Sequence, residues 1–131
     1  MHKAKLMFAS AVTAAALAAG AALANDPVTV ADGVYSEAQA ERGESLYNQH
    51  CAACHNADFY IQTMNNRVNQ PVSWMFEEIL GTMPLNAPGF LPDQHYEDIF
   101  AYILKVVGFP AGEEDLRYAG GGMNNVRLIA P

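Results

Sequence analysis

The sequence predicts a small all-α protein, and three observations carry that expectation. Apolar residues recur at three- and four-residue steps in three stretches, beginning near Ser36, Pro71 and Pro92, which is the spacing of a buried helix face. No run alternates apolar and polar residues as a half-buried strand would, and no segment repeats. At 131 residues the chain suits one domain.

Residues 1–24 read as a cleaved secretion signal. His2, Lys3 and Lys5 form a basic start, Leu6 to Leu23 is apolar and alanine-rich, and Ala22-Leu23-Ala24 is an A-x-A cleavage site. The competing reading is an uncleaved anchor, but small alanines make a weak one, so no stable membrane anchor is expected. Export to an oxidising compartment follows, most simply a bacterial periplasm. Cleavage removes Lys3 and Lys5 and no acids, taking the net charge from -7 to -9 and leaving Lys105 as the remaining lysine. A nucleic-acid module of the usual basic kind is excluded by that balance.

Asn25 to Tyr35, with Pro27 and Gly33, reads as a loose lead-in. Ser36 is placed to cap a first helix, with Gln39 at the capping-box position. Ala40, Gly43, Leu46, Tyr47 and His50 share one face, and Glu41, Arg42 and Glu44 take the other. A glycine on the apolar face costs helix stability, so another helix is expected to cross closely there. Cys51 to His55 ends the helix, and the polar stretch Asn56 to Gln70 reads as a loop.

Pro71 suits the first turn of a second helix. Val72, Met75, Phe76, Ile79 and Leu80 form its stripe, and Gly81 is placed to end it. Thr82 to Leu91, with Pro84, Pro88 and Gly89, reads as a stiff irregular loop. Pro92 opens a third helix, with Asp93 in its dipole-favoured first turn. Tyr96, Ile99, Phe100, Ile103 and Val107 give its buried stripe, with Glu97, Asp98 and Lys105 away from it. Gly108 and Pro110 stop it, and the acid run Glu113 to Asp115 with the glycine run Gly120 to Gly122 marks an extended tail. The domain is expected to span 25–131, with a core of about 36–108 and a tail of 109–131, whose last stretch packs back on the body.

Cys51-Ala52-Ala53-Cys54-His55 is a C-x-x-C-H motif, the attachment signal of haem c. Two thiols three residues apart on one turn can each add to one vinyl group of the same haem, and the adjoining His55 then lies under the iron as its proximal ligand. The alternatives fare worse. A redox-active C-x-x-C wants a βαβ context, and a zinc site would have to recruit His50 or His95 at unhelpful spacing.

From Arg42 to Leu104 the chain resembles class I c-type cytochromes. The resemblance rests on Gly43, Tyr47 and Cys51 at four-residue steps, on Thr82-Met83-Pro84 with Ala87-Pro88-Gly89, and on Tyr96 to Leu104. It implies the small fold of that family, three to four helices around one covalently attached haem, with Met83 as the sixth iron ligand. The local sequence supports Met83 separately: Pro84 disfavours a helical conformation at the residue before it, and a stiff loop lowers the entropy cost of presenting a weak thioether ligand. Met75, Met64 and Met123 have the blander reading of core filler or tail, and His95 or an open site is the alternative to Met83 at the sixth position. With His55 and Met83 on the iron, no substrate can reach it. The implied function is single-electron transfer without catalysis.

Tyr47, Trp74 and Arg67 are further candidates for haem contact. Packing is the competing reading for Tyr47, loop cover for Trp74 and a solvated loop position for Arg67. His50 and His95 read as surface residues near helix ends. The near-absence of lysine removes docking through a lysine ring and leaves an apolar haem edge or a basic patch on the partner. The phrase from Thr82 through Gly89 to Gly108-Phe109-Pro110 is similar to cytochromes serving quinoprotein alcohol dehydrogenases and related periplasmic oxidoreductases. That likeness implies a periplasmic dehydrogenase as donor and a terminal oxidase or another cytochrome as acceptor. Two other readings stand beside it. One is a tightly bound haem subunit of an oxidoreductase complex, with 116–131 as an interaction arm. The other is an open-site haem protein that binds small ligands.

Overall fold

The computed structural model describes residues 27–131, so the expected secretion signal lies outside the described residues. Four helices carry the fold: α1 (Glu37–His50), α2 (Ala57–Asn65), α3 (Val72–Thr82) and α4 (Asp93–Val106). Two short strands, β1 (Val28–Thr29) and β2 (Val126–Arg127), pair in parallel and join the two ends of the described chain. Among the described residues the fold is all-α apart from that tie, and no helix is long and apolar enough to cross a membrane.

The crossing of α1 and α4 organises the rest. A Cβ placed on Gly43 would lie 1.9 Å from the Asp98 carbonyl oxygen, so the two backbones touch where only glycine fits. Ser36 caps α1 by accepting from the Gln39 amide at 3.0 Å. Gln39 does not complete the capping box. Its buried side-chain amide instead pairs twice with the Leu116 backbone, donating at 2.9 Å and accepting at 2.7 Å.

Several sequence expectations are corrected. The stretch 56–70 is not a loop throughout. Asn56 caps α2 by accepting from the Phe59 amide at 3.0 Å, and Tyr60 and Met64, one turn apart, are buried. Gly81 does not end α3, which runs to Thr82 and stops because Met83 is extended ahead of Pro84. Glu97 and Asp98 are not on a free face of α4. They are 5% and 3% exposed, and each meets an arginine from elsewhere in the chain. Arg42 grips Asp98 with two nitrogens at 3.1 and 3.0 Å and reaches Asp115 at 2.8 Å. Arg117 bonds Glu97 and Asp115, each at 2.9 Å. Asp115 is therefore more than part of a solvated turn.

The lead-in is not loose either, since Val30 and Tyr35 are buried. The tail folds back over them. Gly112 donates to the Tyr35 carbonyl at 2.7 Å, and a Cβ on Gly112 would meet the Gly33 carbonyl oxygen at 1.9 Å. Leu116, Met123, Val126 and Leu128 are all buried against the body, so this segment is not a free arm.

The Ser36 hydroxyl, then Arg42 and Arg117, hold the Asp115 carboxyl below its ordinary value. A carboxylate with a depressed folded pKa adds stability above the unfolded value of 3.8 and loses it as pH falls through the folded value. Asp115→Asn is expected to lower stability by about 1 kcal/mol at neutral pH, the scale of partly exposed ion pairs. Urea unfolding at a series of pH values should show the gap from wild type narrowing below pH 3.8. A constant gap would contradict the assignment.

Candidate cofactor site

The turn after α1 is held by its own backbone. Cys51 N donates to Tyr47 O at 2.8 Å, and Cys54 N and His55 N donate to Cys51 O at 3.1 and 3.0 Å. These bonds keep both thiols and the histidine on one compact turn. The Tyr47 hydroxyl, buried on α1, donates to the His55 carbonyl at 2.7 Å. The His55 ring lies against Phe59 and Tyr60, with centroids 4.4 and 5.8 Å away. Burial pushes the Tyr47 and Tyr60 phenols and the Cys51 thiol above their ordinary values, so all three are neutral at neutral pH.

Met83 follows α3 in an extended conformation, φ -121° and ψ 154°. Its amide donates to Ile79 O at 2.9 Å, and its carbonyl accepts from Gly89 N at 3.3 Å and from the Tyr96 hydroxyl at 2.7 Å. One cleft of about 260 Å³, partly open to solvent, is lined by Cys51, Cys54, His55 and Met83. Ile79, Ile99, Ile103 and Met75 supply much of its apolar wall. The apolar lining with few polar groups suits a cofactor site.

The residues present fit a haem. The His55 Nδ1 atom is buried without a hydrogen-bond partner, which is uncommon for a buried polar atom. It belongs to a ring that borders an apolar cleft together with two free cysteines and a thioether. Imidazole and thioether are the donor set that c-type haem iron takes.

The structure distributes the other candidates unevenly. Tyr47 touches the site through the His55 backbone and is not on the cleft wall. Trp74 is 56% exposed on α3, away from the lining. Arg67 is also off the wall, ion-paired with Glu78, which is on it. His50, expected at the surface, lines the cleft and meets Phe90 edge-on at 5.6 Å. Sequence reasoning missed Phe59 and Tyr60, although Asn56 as a cap and Tyr60 with Met64 at helical spacing were the available signals.

A small all-α fold that brings a C-x-x-C-H turn and a methionine to one apolar cleft defines a class I c-type cytochrome. The chain belongs to the family described as cytochrome c oxidase, cbb3-type, subunit III, whose sequence model matches residues 38–103. The curated proteins and the solved structures each give no match. Membership implies covalent haem c with its iron, and Cys51 and Cys54 fit the attachment. The protein is a haem-based electron carrier rather than a catalytic enzyme.

Proposed function

We propose that this protein is a periplasmic monohaem carrier whose iron is held by His55 and Met83. It would take single electrons from a periplasmic dehydrogenase, such as a quinoprotein alcohol dehydrogenase, and pass them to a terminal oxidase or another cytochrome. One observation carries the reading: Cys51, Cys54 and His55 from the turn after α1, and Met83 from the loop after α3, share one cleft. When bound, the haem supplies an iron that alternates between ferric and ferrous, holding or releasing one electron. Cys51 and Cys54 would anchor it by thioethers, and His55 and Met83 would hold its iron. The soft Met83 sulfur favours ferrous iron, and the apolar wall disfavours the extra charge of the ferric form.

The rim supports docking through an apolar edge. Leu85, which lines the cleft, is 84% exposed, and Phe59 and Phe90 are 46% and 56% exposed. Arg42, Arg67, Lys105 and Arg117 are each tied to carboxylates of the same chain, so little positive charge is free to meet a partner. A partner with basic groups around an apolar patch suits that surface, and its approach would slow as salt rises. The family description favours a second reading, a haem subunit fixed in an oxidase complex. Stable co-purification with other chains would support it over a free carrier.

The test is the spectrum of the exported holoprotein. A sulfur-to-iron charge-transfer band in the ferric form, with no carbon monoxide uptake by the ferrous form at neutral pH, is expected. A high-spin ferric spectrum with ready carbon monoxide binding would replace this reading with an open-site haem protein. Cys51→Ala with Cys54→Ala is expected to leave the haem extractable by acid acetone, whereas retained haem would place the attachment elsewhere.

A further inference from the structure

The segments that carry His55 and Met83 both lie outside helices, yet each is tied by one phenol to the helix pair that crosses most tightly. Tyr47, on α1, donates to the His55 carbonyl at 2.7 Å, and Tyr96, on α4, donates to the Met83 carbonyl at 2.7 Å. Both side chains are buried, and neither lines the cleft, so their hydroxyls serve the main chain rather than the cofactor. The helices that bear them are locked together at Gly43, where backbone meets backbone. The spacing of the two phenols is thus inherited from a contact that cannot slide without a clash.

We infer that Tyr47 and Tyr96 are positioning residues, a matched pair of struts that carry the α1–α4 geometry to the two axial ligands. This rests on His55 and Met83 being those ligands. The two struts have unequal work to do. His55 adjoins Cys54, which a thioether would hold to the haem, so it has little freedom to leave. Met83 has no such tether. Without the Tyr96 hydroxyl its carbonyl would keep only the longer 3.3 Å bond from Gly89. Tyr96 therefore keeps a weak thioether ligand in place against competing ligands, while Tyr47 orients a histidine that is already captive.

The experiment titrates the ferric holoprotein with imidazole and follows the shift of the main visible haem absorption, together with loss of the charge-transfer band in the proteins that have it. Losing one buried hydrogen bond that favours the Met83-bound form is worth up to about a tenfold change in an equilibrium. Tyr96→Phe is expected to bind imidazole about tenfold more tightly than wild type, and Tyr47→Phe is expected to change less. Tyr35→Phe is the control. Tyr35 is also a buried phenol that donates to a backbone carbonyl, that of Phe109 at 2.7 Å, but it lies off the cleft. It should cost comparable stability and leave imidazole affinity unchanged. Equal imidazole affinities for Tyr96→Phe and Tyr35→Phe would overturn the inference while the ligand assignment stands. A wild-type protein without the band, or one whose imidazole affinity is untouched by Met83→Ala, would overturn the assignment and the inference together.

Discussion

Met83→Ala is expected to abolish the charge-transfer band and to lower the reduction potential by about 120 mV or more. For a one-electron couple each tenfold loss of preference for the ferrous form costs about 59 mV, and a hundredfold loss is a modest demand on a soft ligand replaced by water or a harder donor. The variant should still fold. Met83 sits in the loop between α3 and α4, and the backbone bonds of that residue, to Ile79, Gly89 and Tyr96, do not use its side chain. Redox titration of the purified variant decides the matter. An unchanged potential would remove Met83 from the iron and with it the case for a closed site.

Gly43→Ala is expected to be among the most damaging single methyls in the protein. The added carbon would lie 1.9 Å from the Asp98 carbonyl oxygen and 2.5 Å from its carbon, and neither atom can move without shifting α4. Overpacking of this kind costs about 1–3 kcal/mol and occasionally more, and a backbone-on-backbone clash belongs at the upper end. Gly81→Ala is the matched comparison. Gly81 lies inside α3, with nothing within 4 Å of the added carbon, so better helix propensity should stabilise it by about 0.5–1 kcal/mol. Urea midpoints of the two variants should move in opposite directions. A Gly43→Ala protein as stable as wild type would mean that the helices do not meet as described.

What could be read from the sequence divides along the range of the interactions. Ser36 announced its cap because the acceptor and the Gln39 amide lie three residues apart. Gly43 announced a crossing because a glycine on an apolar helix face leaves a gap that a second backbone can fill. The C-x-x-C-H turn is five consecutive residues, so its chemistry was legible without any fold. Glu97 and Asp98 were misjudged because Arg117 and Arg42, which accompany them into the interior, stand 20 and 56 residues away. The lead-in read as loose and the tail as extended for the same reason, since each packs against the other across most of the chain's length. α2 was hidden by its asparagines, which sit at its ends and leave Tyr60 and Met64 to face inward. At the site, a phenol donating to a main-chain carbonyl has no sequence signature, so the roles of Tyr47 and Tyr96 could come only from coordinates.

The parallel pairing of Val28 with Val126 and of Thr29 with Arg127 has a topological consequence. The described chain enters at Val28 and leaves at Arg127, about one two-residue strand length apart, and none of those four residues borders the cleft. A short peptide joining those ends would close the domain into a ring without crossing the electron-transfer edge. New termini could then be opened elsewhere, making the domain a candidate for circular permutation. Equally, the domain could be spliced into an exposed loop of a host protein and hang from it by two adjacent strands, with the cleft left free to face a second partner.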